Sequence, residues 1–354
     1  MSKPLTCGII GCGVISRTHV RALQAAGDID VRWACDLDVA KAKSLSCEFA
    51  VAKTTANYRE VLADADVDFV CICTDHAAHV AVAVDAINAG KDVLCEKALA
   101  ADSRGVRDMI GAHEAYPERV FGVVFQHRLD PVNRLVKELI QSGALGQILT
   151  GNIQLRCQRT DEYYLGDDWR GTWEHEGGAV LINQAIHFID LLVWFMGPAD
   201  SLCGTYANLT HEDSMETEDT AAALLRFPSR SIGSIEATCS SHLKWEGTVA
   251  IHGTEGSLEI RNDRPIKIEF RDAELAESVR ERFATCHAES ADAALGKTYY
   301  GTGHAALIAE FADAVRERRK PFVTVRSAAH TMDVVLGIYR SHKQDGWIRL
   351  QEGT

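Results

Sequence analysis

The chain has eleven cysteines but no CxxC pair and no zinc-like cysteine spacing. Their odd number, and the placement of Cys71 and Cys73 inside the apolar run that starts at Phe69, argue against a disulfide framework. They read as small buried hydrophobes in a reducing compartment. Basic charge is also short: 37 Lys and Arg face 50 Asp and Glu, and the net charge of -13 repels phosphate backbones and anionic membranes. Nucleic acid and membrane are therefore not expected partners. The stretch closest to a bilayer span, Ala179 to Met196, is interrupted by Asn183, Gln184, His187 and Asp190 and reads as a buried helix. There is no internal repeat and no low-complexity tract. The strand-like run Leu5 to Ile10 follows no basic segment and apolar core of a secretory leader, so a cytoplasmic protein is expected.

What is present is an ordinary globular composition, 46% hydrophobic and 25% charged, in 354 residues, enough for two domains of roughly 150 residues each. Short β-branched runs at Leu5 to Ile10, Val31 to Cys35, Val67 to Cys73, Val93 to Cys95 and Val120 to Phe125 alternate with helical segments at Ile15 to Ala26, Val39 to Phe49, His76 to Ala89 and Ser103 to His113. That alternation predicts βαβ units and a doubly wound parallel sheet over residues 1–126. Beyond Gln126 the pattern changes. A helix at Pro131 to Gln141 leads to strand-like runs at Ile148 to Arg156, Leu202 to Leu209, Thr220 to Phe227, Ser231 to Ser240, Thr248 to Ile251 and Ser257 to Ile260. Short turn-rich connections such as Pro228-Ser229-Arg230 make these strands mostly antiparallel, so residues 127–354 form an α+β domain with a large open sheet. Residues 272–295 read as a charged surface helix or insertion, and Ala305 to Arg318 and Ala328 to Lys343 as closing helices.

The run Cys7-Gly8-Ile9-Ile10-Gly11-Cys12-Gly13-Val14-Ile15-Ser16 follows the first strand and opens the first helix. Gly11 permits the tight turn, Gly13 lets the amides that begin the helix at Val14 and Ile15 approach a pyrophosphate, and Ser16 takes the close-packing place of a third glycine. This is the Rossmann fingerprint. The second strand ends at Cys35-Asp36, which puts a carboxylate where adenosine ribose hydroxyls belong, and Leu37-Asp38 follow instead of an arginine. NAD is therefore expected in preference to NADP.

Two groups could carry chemistry. Val93-Leu94-Cys95-Glu96-Lys97 ends a strand, so Lys97 emerges at the ligand-binding edge of the sheet, where it either polarises a substrate hydroxyl or pairs with its neighbour in solvent. Asn183, His187 and Asp190 share one face of an otherwise apolar helix, so they either satisfy one another in the core or line a cavity; the Gly177-Gly178 turn before them favours a cavity. His76 and His79 lack a third ligand and His211-Glu212-Asp213 reads as a solvated loop, so no metal is expected.

With these features the sequence resembles the sugar and inositol dehydrogenases of the GFO/IDH/MocA family over essentially its whole length. The resemblance is carried by the glycine fingerprint, Ile72-Cys73-Thr74 with His79, Ala89-Gly90-Lys91, Glu96-Lys97, Gln126 with Arg128 and Pro131, Trp169-Arg170, and Gly177-Gly178 leading to His187. It implies a bidomain NAD-dependent oxidoreductase that forms a homodimer or homotetramer through its open sheet, with a sugar, polyol or nucleotide-sugar meeting the cofactor in the interdomain cleft. By position Lys97 and His187 match the family's catalytic lysine and histidine. Thr74, His79, Glu96, Gln126, Trp169 and Arg170 fall where the family lines its cofactor. Tyr163, Tyr164 and Arg170, with Asn183 beside His187, resemble a branch that includes nucleotide-sugar 3-oxidases and would meet the substrate. The sequence departs from the family twice: Ala98 stands for the proline after the lysine, and Asn183 for an aspartate, which can orient His187 but cannot stabilise an imidazolium by charge. Two other readings keep the fold, a glycosidase that uses NAD transiently and a nicotinamide-responsive regulator without catalysis. The retained Lys97 and His187 speak against the regulator.

Overall fold

The computed structural model describes residues 4–290 and 303–350. The chain folds as two compact units, residues 1–126 with 303–328, and residues 127–302 with 329–354.

In the first unit six strands, β1 (Leu5–Ile10), β2 (Ile29–Cys35), β3 (Lys53–Thr55), β4 (Phe69–Ile72), β5 (Asp92–Cys95) and β6 (Phe121–Val123), form a parallel sheet in the order β3-β2-β1-β4-β5-β6. Helices α1 (Val14–Ala25), α2 (Val39–Phe49), α3 (Tyr58–Ala63), α4 (His76–Asn88) and α5 (Ser103–Ala115) connect them. Every residue of β1, β4 and β5 is buried, as parallel strands covered on both faces require. The strand order reverses between β1 and β4, which places the ligand crevice at their carboxyl ends. All five expected strands are present. The sixth, β3, is a three-residue edge strand, too short and too exposed to leave an apolar run in the sequence.

The second unit contains β7 (Ile148–Gln158), β8 (Ser201–Ala207), β9 (Thr220–Arg226), β10 (Ile232–Thr238), β11 (Ser240–Gly253), β12 (Gly256–Arg261) and β13 (Arg264–Phe270), with helices α6 (Pro131–Gln141), α7 (Asp161–Leu165), α8 (Ile186–Met196) and α9 (Ala273–Ser290). With β14 (Ile348–Arg349) the strands make a sheet ordered β13-β12-β11-β7-β10-β9-β8-β14, antiparallel except where β7 runs beside β10. Along β7 the residues Ile153, Leu155 and Cys157 are buried while Asn152, Gln154 and Arg156 between them are not, so one face carries the core and α8. The part of the expected 272–295 segment beyond Ser290 lies outside the described residues.

Two elements differ from expectation. Helix α10 (Gly303–Glu317), expected among the second domain's elements, belongs to the first unit and packs against α1. Phe311 lies edge-on to Phe69 with ring centres 5.4 Å apart, and Arg318 holds Asp92 at 2.6 and 3.1 Å. Helix α11 (Val325–Gln344) follows it. The stretch expected as one α-helix from Ala179 opens instead with a π-helical turn, Val180–Ala185, before α8. An apolar periodicity does not separate one π turn from an α turn, and such turns are frequent at functional sites. Among the described residues no helix is long and apolar enough to cross a membrane.

Candidate active site

The glycine loop of the first unit has the geometry a dinucleotide needs. Gly11 adopts φ +93°, and a Cβ there would lie 2.5 Å from the Cys73 carbonyl and 2.7 Å from the Thr74 nitrogen, so only glycine fits between the strand ends. Gly13 caps α1 with no side chain on the first-turn amides, and a Cβ built on it meets nothing within 4 Å. Val14 is exposed and Ile15 half-buried, so the helix start is open to a phosphate. Ser16 is buried, its hydroxyl donating to the Gly13 carbonyl at 2.6 Å. Asp36 accepts the Cys12 N–H at 2.7 Å through one oxygen and the Asp38 N–H at 2.8 Å through the other, which leaves lone pairs on both for ribose hydroxyls. Leu37 beside it is 91% exposed. These residues fit an NAD molecule.

From Lys91 to Ala100 every residue is buried except Lys97, the one side chain of this strand end that reaches an open surface. Its peptide bond to Ala98 is cis. Glu96 and His79, expected to line the cofactor, are buried behind it and shape the loops. The ring nitrogens of His79 lie 2.7 Å from the Ala98 carbonyl and 3.2 Å from the Thr74 carbonyl. Burial pushes this imidazole below its ordinary pKa, and the neutral ring has one N–H to donate, which the shorter distance assigns to the Ala98 carbonyl. Glu96 accepts the Lys97 N–H at 3.2 Å and bonds His19 at 2.7 Å. Burial alone would raise Glu96, but the hydrogen bond and charge of His19 hold it below its ordinary range. Burial likewise works against charging His19, yet the Cys71 thiol and the Glu96 carboxylate outweigh it and push His19 from 6.5 up to about 10. The folded state thus holds this proton more tightly than the unfolded state. Its stabilisation is complete below pH 6.5 and disappears as pH rises through about 10. His19→Gln is expected to lower the melting temperature at neutral pH and to flatten the alkaline fall expected of the parent, a comparison that melting curves across that window decide. Thr74, its hydroxyl donating to the Asp75 carbonyl at 3.2 Å, is half-buried at the crevice, and Gln126 is buried at the end of the unit.

In the second unit every residue from Glu176 to Val193 is buried except Asn183 and His187. The polar face expected from the sequence therefore exists, but Asp190 is not on its open part. Arg128 holds Asp190 through two hydrogen bonds of 2.6 and 2.7 Å and Thr331 donates to it at 2.8 Å, a buried structural cluster. The start of this helix is fixed by Glu218, which accepts the Ala179 N–H at 3.1 Å and the Leu181 N–H at 3.0 Å and takes the Tyr339 hydroxyl at 2.8 Å. Burial pushes Glu218 up to about 7 against those three donors. His127 lies beside His187 with ring centres 5.0 Å apart and is itself held by Asp263 at 3.0 Å. Burial lowers His127, and the Asp263 carboxylate more than reverses this.

The structure divides the tyrosine pair. Tyr163 is half-buried, with the Arg170 guanidinium 4.3 Å and the Arg159 guanidinium 4.9 Å from its ring centre. Tyr164, expected to meet substrate, is a core residue whose hydroxyl lies 3.2 Å from the Cys239 sulfur. Trp169 and Arg170 are half-buried in one turn, and Arg170 also pairs with Asp167 at 2.5 Å. Arg156 pairs with Glu236 on the exposed sheet face. His211, read as part of a solvated loop, is buried against Asp219 at 3.2 Å, while Glu212 and Asp213 are exposed. Among the described residues no group of three or more His, Cys, Asp or Glu could hold a metal ion. Glu176, Glu218, His127 and His19 were not foreseen. A glutamate next to Gly177-Gly178 was the one visible signal, since a buried turn has amides that need an acceptor.

A doubly wound sheet with an open glycine turn, Asp36 on the next strand end and an accessible lysine defines a dinucleotide-dependent oxidoreductase. The family description "Oxidoreductase family, NAD-binding Rossmann fold" matches residues 5–123, and "GFO/IDH/MocA C-terminal domain" matches residues 133–259. The sequence is 26% identical over 292 residues to levoglucosan dehydrogenase from Pseudarthrobacter phenanthrenivorans, covering 73% of this chain and 74% of that protein. It is 34% identical over 195 residues to inositol 2-dehydrogenase from Salmonella paratyphi B, covering 54% of each. The WlbA dehydrogenase from Bordetella pertussis, solved in complex with NADH and UDP-GlcNAcA, superposes with a TM-score of 0.89 at 26% identity, covering 99% of both chains. The chain belongs to the GFO/IDH/MocA family and is one of its NAD-binding oxidoreductases.

Proposed function

We propose that the protein oxidises a ring carbinol of a sugar, polyol or nucleotide-sugar, or reduces the corresponding ketone, with His187 as general base or acid and Lys97 as the cation that polarises the oxygen. The observation that carries this reading is the exposure pattern: Lys97, Asn183 and His187 are the open positions of two segments otherwise built for burial. Gly11, Gly13, the Val14 and Ile15 amides and Asp36 would hold the dinucleotide, with Thr74, Gln126, Trp169 and Arg170 toward the nicotinamide. A bound nicotinamide would supply the acceptor for the hydride of the carbinol carbon. His187 takes the hydroxyl proton as the carbonyl forms, and Lys97 keeps the developing negative charge on the oxygen small. Tyr163 between Arg159 and Arg170 favours an anionic group on the substrate. The ligand of the Bordetella relative makes a nucleotide-sugar the first compound to try.

The test is NADH formation by the purified protein with UDP-N-acetylglucosaminuronate, myo-inositol and levoglucosan. Turnover of a member of this panel is the expected result, and no reaction with either cofactor in either direction would sink the reading. The exposed face of the eight-stranded sheet, a concavity of about 860 Å³ beside Gln154, Leu224 and Glu236, supports a homodimer or homotetramer, which light scattering reads as a mass. The cysteines, buried as thiols except Cys47, Cys203 and Cys286, support a reducing cytoplasmic setting.

A further inference from the structure

Asn183 occupies the place where the family resemblance puts an aspartate, and a carboxylate lies directly behind it. Glu176 is completely buried. One of its oxygens accepts the Gly171 N–H at 2.5 Å and the other accepts the side-chain N–H of Asn183. A carboxylate can only accept, so the Asn183 amide is turned with its nitrogen toward Glu176 and its oxygen away from it. A neutral partner would not fix that choice, because an amide can donate or accept on either side. The negative charge at the nitrogen end also draws electron density toward the amide oxygen, which makes that oxygen a better acceptor.

We propose that Glu176 is a positioning residue of the active site, locking the Asn183 amide so that its Oδ1 accepts a hydrogen bond from a substrate hydroxyl. Glu176 and Asn183 together then do the work of a single aspartate, with the charge set one side chain further back. The inference rests on the reading above that Asn183 and His187 face the substrate. The loop is built around this carboxylate. The Glu176 and Gly177 amides both return to the Thr172 carbonyl, at 3.2 and 3.1 Å, and close the turn that brings the carboxylate against the helix start. Titratable groups near the pair include Tyr163, Tyr164 and Tyr339, with Arg170 against Tyr163, Glu218 against Tyr339, and His187 one helical turn beyond Asn183. Burial raises all three phenols, and the Glu176 charge raises each of them further.

Three variants test the proposal: Asn183→Asp, Glu176→Gln and the double exchange. Asn183→Asp restores the family's aspartate but sets two carboxylates against each other, and one of them must hold a proton. Its folded pKa then lies above the unfolded value, so stability is lost as pH rises. The variant should melt progressively below the parent between about pH 5 and pH 8, with activity falling over the same interval. Glu176→Gln frees the amide to flip, and kcat/KM for the sugar should fall roughly tenfold to a hundredfold, the worth of a charge-assisted hydrogen bond, with NADH affinity unchanged. In the double variant the amide introduced at position 176 can donate to the carboxylate introduced at position 183, returning a carboxylate oxygen to the place of the Asn183 oxygen. Activity should recover to within roughly threefold of the parent and the pH-dependent melting should vanish, a coupling that independent sites do not show. A double variant no better than the worse single, or an Asn183→Asp variant indistinguishable from the parent in melting and turnover, overturns the proposal. If the parent turns over no sugar, the proposed reaction falls, and the melting profiles still decide whether Glu176 fixes Asn183.

Discussion

His187→Ala is expected to lower kcat on the identified sugar at least roughly 100-fold, with NADH affinity close to that of the parent. The group removed is the one that takes the hydroxyl proton while the carbon–hydrogen bond breaks. Its loss leaves water to do so, in a segment where every neighbour from Glu176 to Val193 except Asn183 is buried. His187 is not among the residues proposed to hold the dinucleotide, and the glycine turn and Asp36 belong to the other folding unit, so NADH affinity is expected to stay near that of the parent. Lys97→Met should cost a similar factor for a different reason. It keeps the length and apolar stem of the side chain and removes only the cation that stabilises the oxygen, so kcat falls more than KM rises. The two variants should differ in their response to pH. In the oxidation direction the parent's rate is expected to rise with pH, because a general base works only in its unprotonated form. That dependence should disappear in His187→Ala and persist in Lys97→Met. Near-parent turnover in either variant removes that residue from the mechanism.

The first unit was legible because its signals are local. Gly11 and Gly13 sit in one turn between β1 and α1, Asp36 directly follows β2, and the buried strands announce themselves as continuous apolar runs, so the signals come in a fixed order along the chain. Lys97 was legible for the same reason, since the strand before it fixes which sheet edge it reaches. The acceptors were not. His19 and Glu96 are 77 positions apart, and Glu218 meets the Ala179 amide from 39 residues downstream in sequence. No periodicity carries such pairings. Tyr164 shows the opposite error: next to Tyr163 in sequence it is equivalent in type, but the short helix Asp161–Leu165 turns it into the core against Cys239. The π-helical turn was hidden because its residues are as apolar as the α-helix it precedes.

Asp190 was read from the sequence as sharing the face of Asn183 and His187, and the structure makes it the anchor of that helix instead. Asp190→Ala is accordingly expected to destabilise the second unit by about 3 to 5 kcal/mol, the cost of leaving one partner of a buried ion pair uncompensated. Arg128 is only 3% exposed, and its guanidinium fork meets both oxygens of Asp190, so the charge left behind is buried. Thr331 loses its acceptor as well. For a unit of this size the melting temperature should drop by roughly 10 °C. The double exchange Arg128→Met with Asp190→Leu removes both charges together, and it should regain most of that loss because neither charge is left buried alone. Turnover separates anchoring from catalysis. At a temperature where both proteins are folded, the double variant should keep most of the parent's kcat, whereas a stable double variant as inactive as His187→Ala would put Asp190 in the reaction itself.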